Sequence, residues 1–179
     1  MAVDGYLRRF IEYNNWANQG LIVFLARVPD ETLDATAPGV YGSIRQTLDH
    51  LFTAEDNYFR SLSRQPRSPQ RPAEPGLMVL AGYARESAAN LERLVLPGPD
   101  TRLQFRDGLR SAATALTQLF MHGVEHRTQV GTILGTMGIE PPDLDAWAHG
   151  IFQGADDWPP DLGAMPEVLP TFPFELRSA

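Results

Sequence analysis

Residues 121–130 read MHGVEHRTQV, and the fold turns on what they are. Two histidines stand four apart, with a glutamate just before the second. As His-x-x-Glu-His the stretch matches the signature of an inverted zinc protease. As part of a longer helix it is half of a metal site inside a bundle, or a helix whose two histidines are bonded to neighbours. The flanking residues decide for a helix. From Ser111 to Met137 apolar side chains recur at Ala112, Ala115, Leu116, Leu119, Val130, Ile133, Leu134 and Met137, which is helical spacing. Gly138 can end that helix, and Pro141-Pro142 ensures the end. At 3.6 residues per turn His126 falls in the middle of the apolar stripe, between Leu119 and Ile133, with His122 about 40° away at its edge. Both point inward. Side chains four apart on a helix have Cβ atoms roughly 5–6 Å apart. Both imidazoles therefore reach a single ion at about 2.0–2.1 Å. A protease of the inverted type needs a third, usually acidic, ligand on a later helix in a larger scaffold. The stretch after His126 is short and rich in proline, so that reading fares worst.

Upstream, residues 4–28 carry Leu7, Phe10, Ile11, Ala17, Leu21, Phe24 and Val28 at helical spacing, with polar Asn14 inside the stripe, and Pro29 ends the segment. Residues 29–42 hold Pro, Asp, Thr and Gly and read as a connector. Ser43 can cap the next helix, with Gln46 completing a capping box. Ile44, Leu48, Leu51, Tyr58, Phe59 and Leu62 then mark a helix to about residue 63. The segment RQPRSPQRPAEPG, 64–76, holds four prolines and reads as an exposed loop. A third helix is predicted over 77–96, weakened by Gly82 and stopped by PGPD at 97–100. TRLQFRDGLR, 101–110, reads as a small hairpin with Asp107-Gly108 as its turn dipeptide. After the long helix, a short fifth is predicted from Asp143 to about Phe152. The fold class expected is all-α: a four-helix bundle with a small extended hairpin before the last long helix and an irregular, proline-rich C-terminal tail. One domain spans 1–179, with the bundle over about 4–152 and the tail over 153–179.

The bulk composition excludes several classes. The chain has 179 residues, 43% hydrophobic and 21% charged, with a net charge of −7, as in a globular protein with a real core. No basic block appears, so neither nucleic acid nor an anionic membrane is an expected partner. All 15 basic residues are arginine. With no cysteine there are no disulfides, thiolate metal sites or cysteine nucleophiles. The N-terminus lacks the apolar core of a signal peptide, and a cytoplasmic protein is expected.

A third histidine extends the pair. His50 lies on the second helix, beside Thr47 and Ala54, about 100° from the centre of its apolar stripe. That is a flank, so geometry alone does not aim it at His122 and His126. A flank position can still line the groove between two helices. Three histidines from two helices would offer three neutral nitrogen ligands and leave a position open for water or substrate. Glu125, about 60° from His122 on the wheel, could stand beside a metal as a base or be a solvated charge. His149, in DAWAHGIF, reads as structural. Arg127 and Gln129 read as a polar helix flank.

Taken together these stretches resemble the DinB/YfiT-like family of metalloenzymes. YNNWANQGL at 13–21 is similar to that family's first helix. SIRQTLDHLFTAEDNYF at 43–59 is similar to its second, which carries a histidine ligand. LFMHGVEHRTQVGTILGTMG at 119–138 is similar to its last long helix, with His-x-x-x-His-Arg-x-Gln closing in glycine, and PPDLDAWAH at 141–149 to the segment after it. The resemblance covers roughly residues 5–150. It implies a divalent metal, zinc or nickel, held by His50, His122 and His126. It implies a homodimer, and Gly131 and Gly135 would allow close approach of a neighbour. It also implies a thiol-dependent transferase or isomerase that takes a low-molecular-weight thiol and a small-molecule substrate. The alternatives of another class are a metal-dependent hydrolase and a non-catalytic metal-binding stress or interaction protein of the same fold.

Overall fold

The computed structural model describes residues 5–69, 71–105 and 108–156. Four long helices make the body: α1 (Gly5–Leu25), α2 (Ile44–Leu62), α3 (Leu77–Glu92) and α4 (Ala112–Thr136). Strands β1 (Arg102–Phe105) and β2 (Gly108–Ser111) pair antiparallel just before α4, and a short α5 (Ala146–Phe152) follows it. The predicted tail falls, from residue 157 on, outside the described residues, as does Asp107. Gly108 is not the second residue of a turn dipeptide. It is the first residue of β2, paired with Phe105, and its φ of +125° is open to glycine because it has no Cβ.

The helix boundaries have local causes. Ser43 and Gln46 form the predicted capping box, each side chain bonding the other's backbone N–H. Ser111 and Asp145 cap α4 and α5 by accepting from Thr114 N–H and Ala148 N–H. At the end of α4, Gly138 takes φ +74° and Ile139 N–H returns to the Leu134 carbonyl, the pattern of a Schellman stop. The predicted connector 29–42 is more ordered than its composition suggested. It includes a 3-10 turn, Asp30–Asp34, that buries Thr32 and Leu33, and Arg45 pins it through Asp34 at 2.8 Å.

Around the bundle, α1 packs on α3, α3 on α2, α2 on α4 and α4 on α1. The core is in two parts. One is built from Leu21, Leu25, Ile44, Leu48, Phe52, Leu80 and Ile133 with their neighbours. The other is built from Ile11, Phe59, Leu62, Leu91, Leu103, Ala115 and Leu119. On each of the four long helices buried polar residues lie between the two parts: Asn14 and Asn18 on α1, Glu55 on α2, Ser87 on α3, and His122, His126 and Arg127 on α4. A polar layer thus crosses the middle of an otherwise apolar bundle. Buried polar groups persist mainly when hydrogen-bonded, and side-chain hydrogen bonds link the members of this layer.

Candidate metal centre

His122 and His126 point from α4 toward α2, and His50 meets them from α2. His122 Nε2 lies 3.1 Å from His50 Nε2 and 3.0 Å from His126 Nε2. One nitrogen of each ring lies within 4.8 Å of the others, the only such histidine or acid trio among the described residues. Two nitrogens bound to one ion at about 2.0–2.1 Å are separated by about 2.8–3.4 Å for angles between square and tetrahedral. Both His122 spacings fall within that range.

Proton positions support the same geometry. Gln129 Oε1 accepts the Tyr41 backbone N–H at 3.2 Å, which identifies that atom as the amide oxygen. The same oxygen lies 2.9 Å from His126 Nδ1, so Nδ1 carries the proton and the Nε2 lone pair faces the other rings. Burial, and then the charges of His126 and His50, push His122 down to about 4. Burial and His126 also lower His50, against a smaller opposing effect of Asp49. Imidazoles with lowered pKa values are neutral near pH 7, the state in which they bind a metal. His122 Nδ1 is buried without a hydrogen-bond partner, so that ring is held by contact with Tyr58 at 6.2 Å and with the other two rings. Neutral nitrogens converging at this spacing suit a shared cation, and an all-imidazole donor set fits a divalent transition metal.

Tyr41 closes one side of the cluster. Its ring stacks on His50 at 4.2 Å and meets His126 edge-on at 5.5 Å. It comes from the connector, where no periodicity marked it. Beside it a cavity of about 440 Å³ is lined by Tyr41, Gln46, Asp49, His50 and Thr53.

Glu125 is exposed on α4 and takes part in none of the hydrogen bonds of the cluster. His149 is buried away from the trio, between Tyr13 at 5.9 Å and Trp16 at 5.2 Å, where it ties α5 to α1.

The expected polar flank at Arg127 and Gln129 needs correction. Gln129 orients a histidine, as above. Arg127 is buried and donates from Nη1 to Asn14 Oδ1 at 3.0 Å and Asn18 Oδ1 at 2.7 Å. Both asparagines in turn donate to Glu55 Oε1 at 2.8 Å, and Ser87 donates to Glu55 Oε2. The wheel placed Arg127 off the apolar stripe because the stripe marks only the side toward α2. Arg127 turns toward α1, where its partners are polar. The available signal was Asn14 and Asn18, four apart on the inward face of α1.

A family model described as the DinB family matches residues 1–153. Among solved structures the fold is similar to that of a DinB-like protein, YjoA, from Bacillus subtilis. The TM-score is 0.60 at 18% identity, covering 76% of this chain and 97% of that one. At that identity the likeness bears on the fold alone. No curated protein matches the sequence.

Proposed function

The chain belongs to the DinB family, and from that premise we propose that it is a metal-dependent enzyme whose His50, His122 and His126 hold one divalent ion, zinc or nickel. The observation that carries the reading is the convergence of three Nε2 atoms, with the His126 tautomer fixed by Gln129. We propose further that the reaction is thiol transfer to a small electrophile.

An ion held by three neutral imidazoles keeps its full double charge and favours the deprotonated form of a thiol that meets it. The chain's own groups have simpler tasks. The three histidines bind as neutral bases. Gln129 keeps the His126 proton on Nδ1. Tyr41 covers the His50 and His126 rings on one side and limits water there. With no cysteine in the chain, the thiol must come as a co-substrate. In the transfer a sulfur–carbon bond forms, the bond to the leaving group breaks with its electron pair, and the thiol proton passes to solvent. A free thiol of pKa about 8.5 is only a few per cent ionised at pH 7, so the gain available from deprotonation is large.

The test compares zinc-loaded, nickel-loaded and chelated protein across a panel of small thiols and electrophiles. Acceleration that needs both metal and thiol is the expected result. Equal rates for loaded and chelated protein over the whole panel would overturn the transfer reading. A metal-binding bundle without chemistry would then be preferred.

A further inference from the structure

Each ring of the trio is held by something different. His126 Nδ1 donates to Gln129 Oε1, and His122 lies against Tyr58 and the other two rings. His50 has no acceptor of that kind among the described residues; its one hydrogen-bond contact is Nε2 with His122. A metal-binding histidine whose second nitrogen has no partner needs another source of orientation. For His50 that source is Tyr41, whose ring stacks on the imidazole at 4.2 Å and 19° and meets His126 edge-on at 5.5 Å. The connector is shaped to put it there. Ile44 N–H returns to the Ala35 carbonyl at 3.1 Å and Thr36 Oγ1 donates to the Gly42 carbonyl at 3.2 Å, which closes residues 35–44 into a loop. Val40 packs on the core. Gly42 passes so near α2 that a Cβ there would lie 2.6 Å from Gln46 Oε1. Gln46 and His50 are one turn apart on the same face of α2, so the residue before Gly42 falls beside His50. Tyr41 N–H then donates to Gln129 Oε1 at 3.2 Å, the oxygen that also receives the His126 proton.

We propose that Tyr41 is a positioning residue for His50, and that Gln129 reaches His50 through it. One amide oxygen then orients two rings on two helices: His126 on α4 directly, and His50 on α2 by way of the Tyr41 backbone and ring. The loop of residues 35–44 thereby belongs to the site and sets the spacing of the trio before any ion arrives. Stacked rings resist tilting, because their face-to-face contact is lost when either ring turns. Tyr41 is 55% exposed and stands outside both core clusters, so core packing does not impose the contact. Calling the rings ligands rests on the metal-binding reading above; the relay itself does not.

The test begins with metal-free protein above neutral pH, where the imidazoles are uncharged, and follows the carbon-bound ring protons of His50 by NMR. Wild type and Tyr41→Phe should show the upfield position of protons that lie over an aromatic face, and Tyr41→Ala should lose it. Gln129→Leu should move the same signals toward the Tyr41→Ala position, although Gln129 bonds to His126 and Tyr41 rather than to His50. Placed on Tyr41→Ala, Gln129→Leu should move them no further. In competition with a chelator, Tyr41→Ala should bind zinc at least about tenfold more weakly than wild type, and Tyr41→Phe nearly as well as wild type. His50 signals or zinc affinity unchanged in Tyr41→Ala, or a Tyr41→Phe variant that behaves like Tyr41→Ala, would overturn the positioning role. A Gln129→Leu shift of equal size with and without Tyr41 would overturn the relay. If wild type binds no zinc while the His50 signals follow the expected pattern, the relay stands and the metal reading falls.

Discussion

Arg127 and Glu55 are opposite charges in the same buried layer, and Asn14 and Asn18 stand between them. Each asparagine accepts from Arg127 with its oxygen and donates to Glu55 with its nitrogen. Four side chains from α1, α2 and α4 thus form one closed set, and Ser87 adds α3. The arrangement fixes how α4 is turned about its own axis. Since Arg127 follows His126 directly, it also fixes where the histidines face.

Removing one end of this set leaves the other buried and uncompensated. Arg127→Met is expected to cost about 3 kcal/mol, and Glu55→Gln somewhat less. The double variant should lose less than the sum, because neither charge is then stranded. Urea denaturation of the two singles and the double measures the coupling. Additive losses would show that the asparagines do not link the two.

Metal binding is expected at one divalent ion per chain. His126→Ala and His50→Ala should each reduce the stoichiometry far below one after dialysis, because two remaining imidazoles hold an ion weakly. Elemental analysis decides it. Wild type without metal, or a full equivalent retained by His126→Ala, contradicts the site. Glu125→Gln should leave the metal content unchanged, since Glu125 is exposed and outside the hydrogen bonds of the cluster.

Gln129→Leu removes the acceptor for His126 Nδ1 and for the Tyr41 N–H at once. Loss of such an orienting partner typically lowers metal affinity about 10–100-fold. Gln129→Glu keeps an acceptor at that position and should recover most of it. Competition with a fluorescent chelator provides the measurement. Equal affinity for wild type and Gln129→Leu would mean that ring packing alone sets the tautomer.

The metal-free protein should lose stability in acid. Burial lowers His50 and His149, and burial with the neighbouring rings lowers His122 to about 4. A histidine whose folded pKa lies below its unfolded value binds protons more readily when unfolded, so stability rises with pH between the two values. The contribution is complete above about 6.5. It falls as pH drops through the range down to about 4, the His122 value, and changes no further for that group below it. Denaturation of metal-free protein at pH 7, 6 and 5 should show the decline. A flat profile would argue against neutral histidines in the fold.

The homodimer implied by family resemblance can be placed against the structure. A Cβ on Gly131 would meet Pro141 of the same chain at 3.7 Å, whereas Gly135 has nothing within 4 Å. The open part of α4 runs along exposed Met121, Val124, Thr128 and Thr132 to Gly135. We propose self-association through this face, and Val124→Arg should then weaken it. Light scattering at working concentration tests both. A wild-type monomer would remove the proposal.

Much of this was written in the sequence, for a reason that is local. Caps, prolines, glycines and the helical period depend on neighbours within a few residues. Hence the four helices, the Ser43 capping box and the Gly138 stop come from the chain alone, as does the inward aim of His122 and His126. No helix among the described residues is long and apolar enough to cross a membrane, in line with composition. His50 was different. On its own helix it sits on a flank, and only the packing of α2 against α4 turns that flank into a wall of the trio. The same holds for Arg127, whose polar partners lie more than 100 residues away on α1, and for Tyr41, which a connector lays on His50. A helical wheel reports distance from one apolar stripe, whereas a bundle helix faces two neighbours. Which residues meet across the second face is decided by tertiary packing, and here such faces bring in His50 and Arg127.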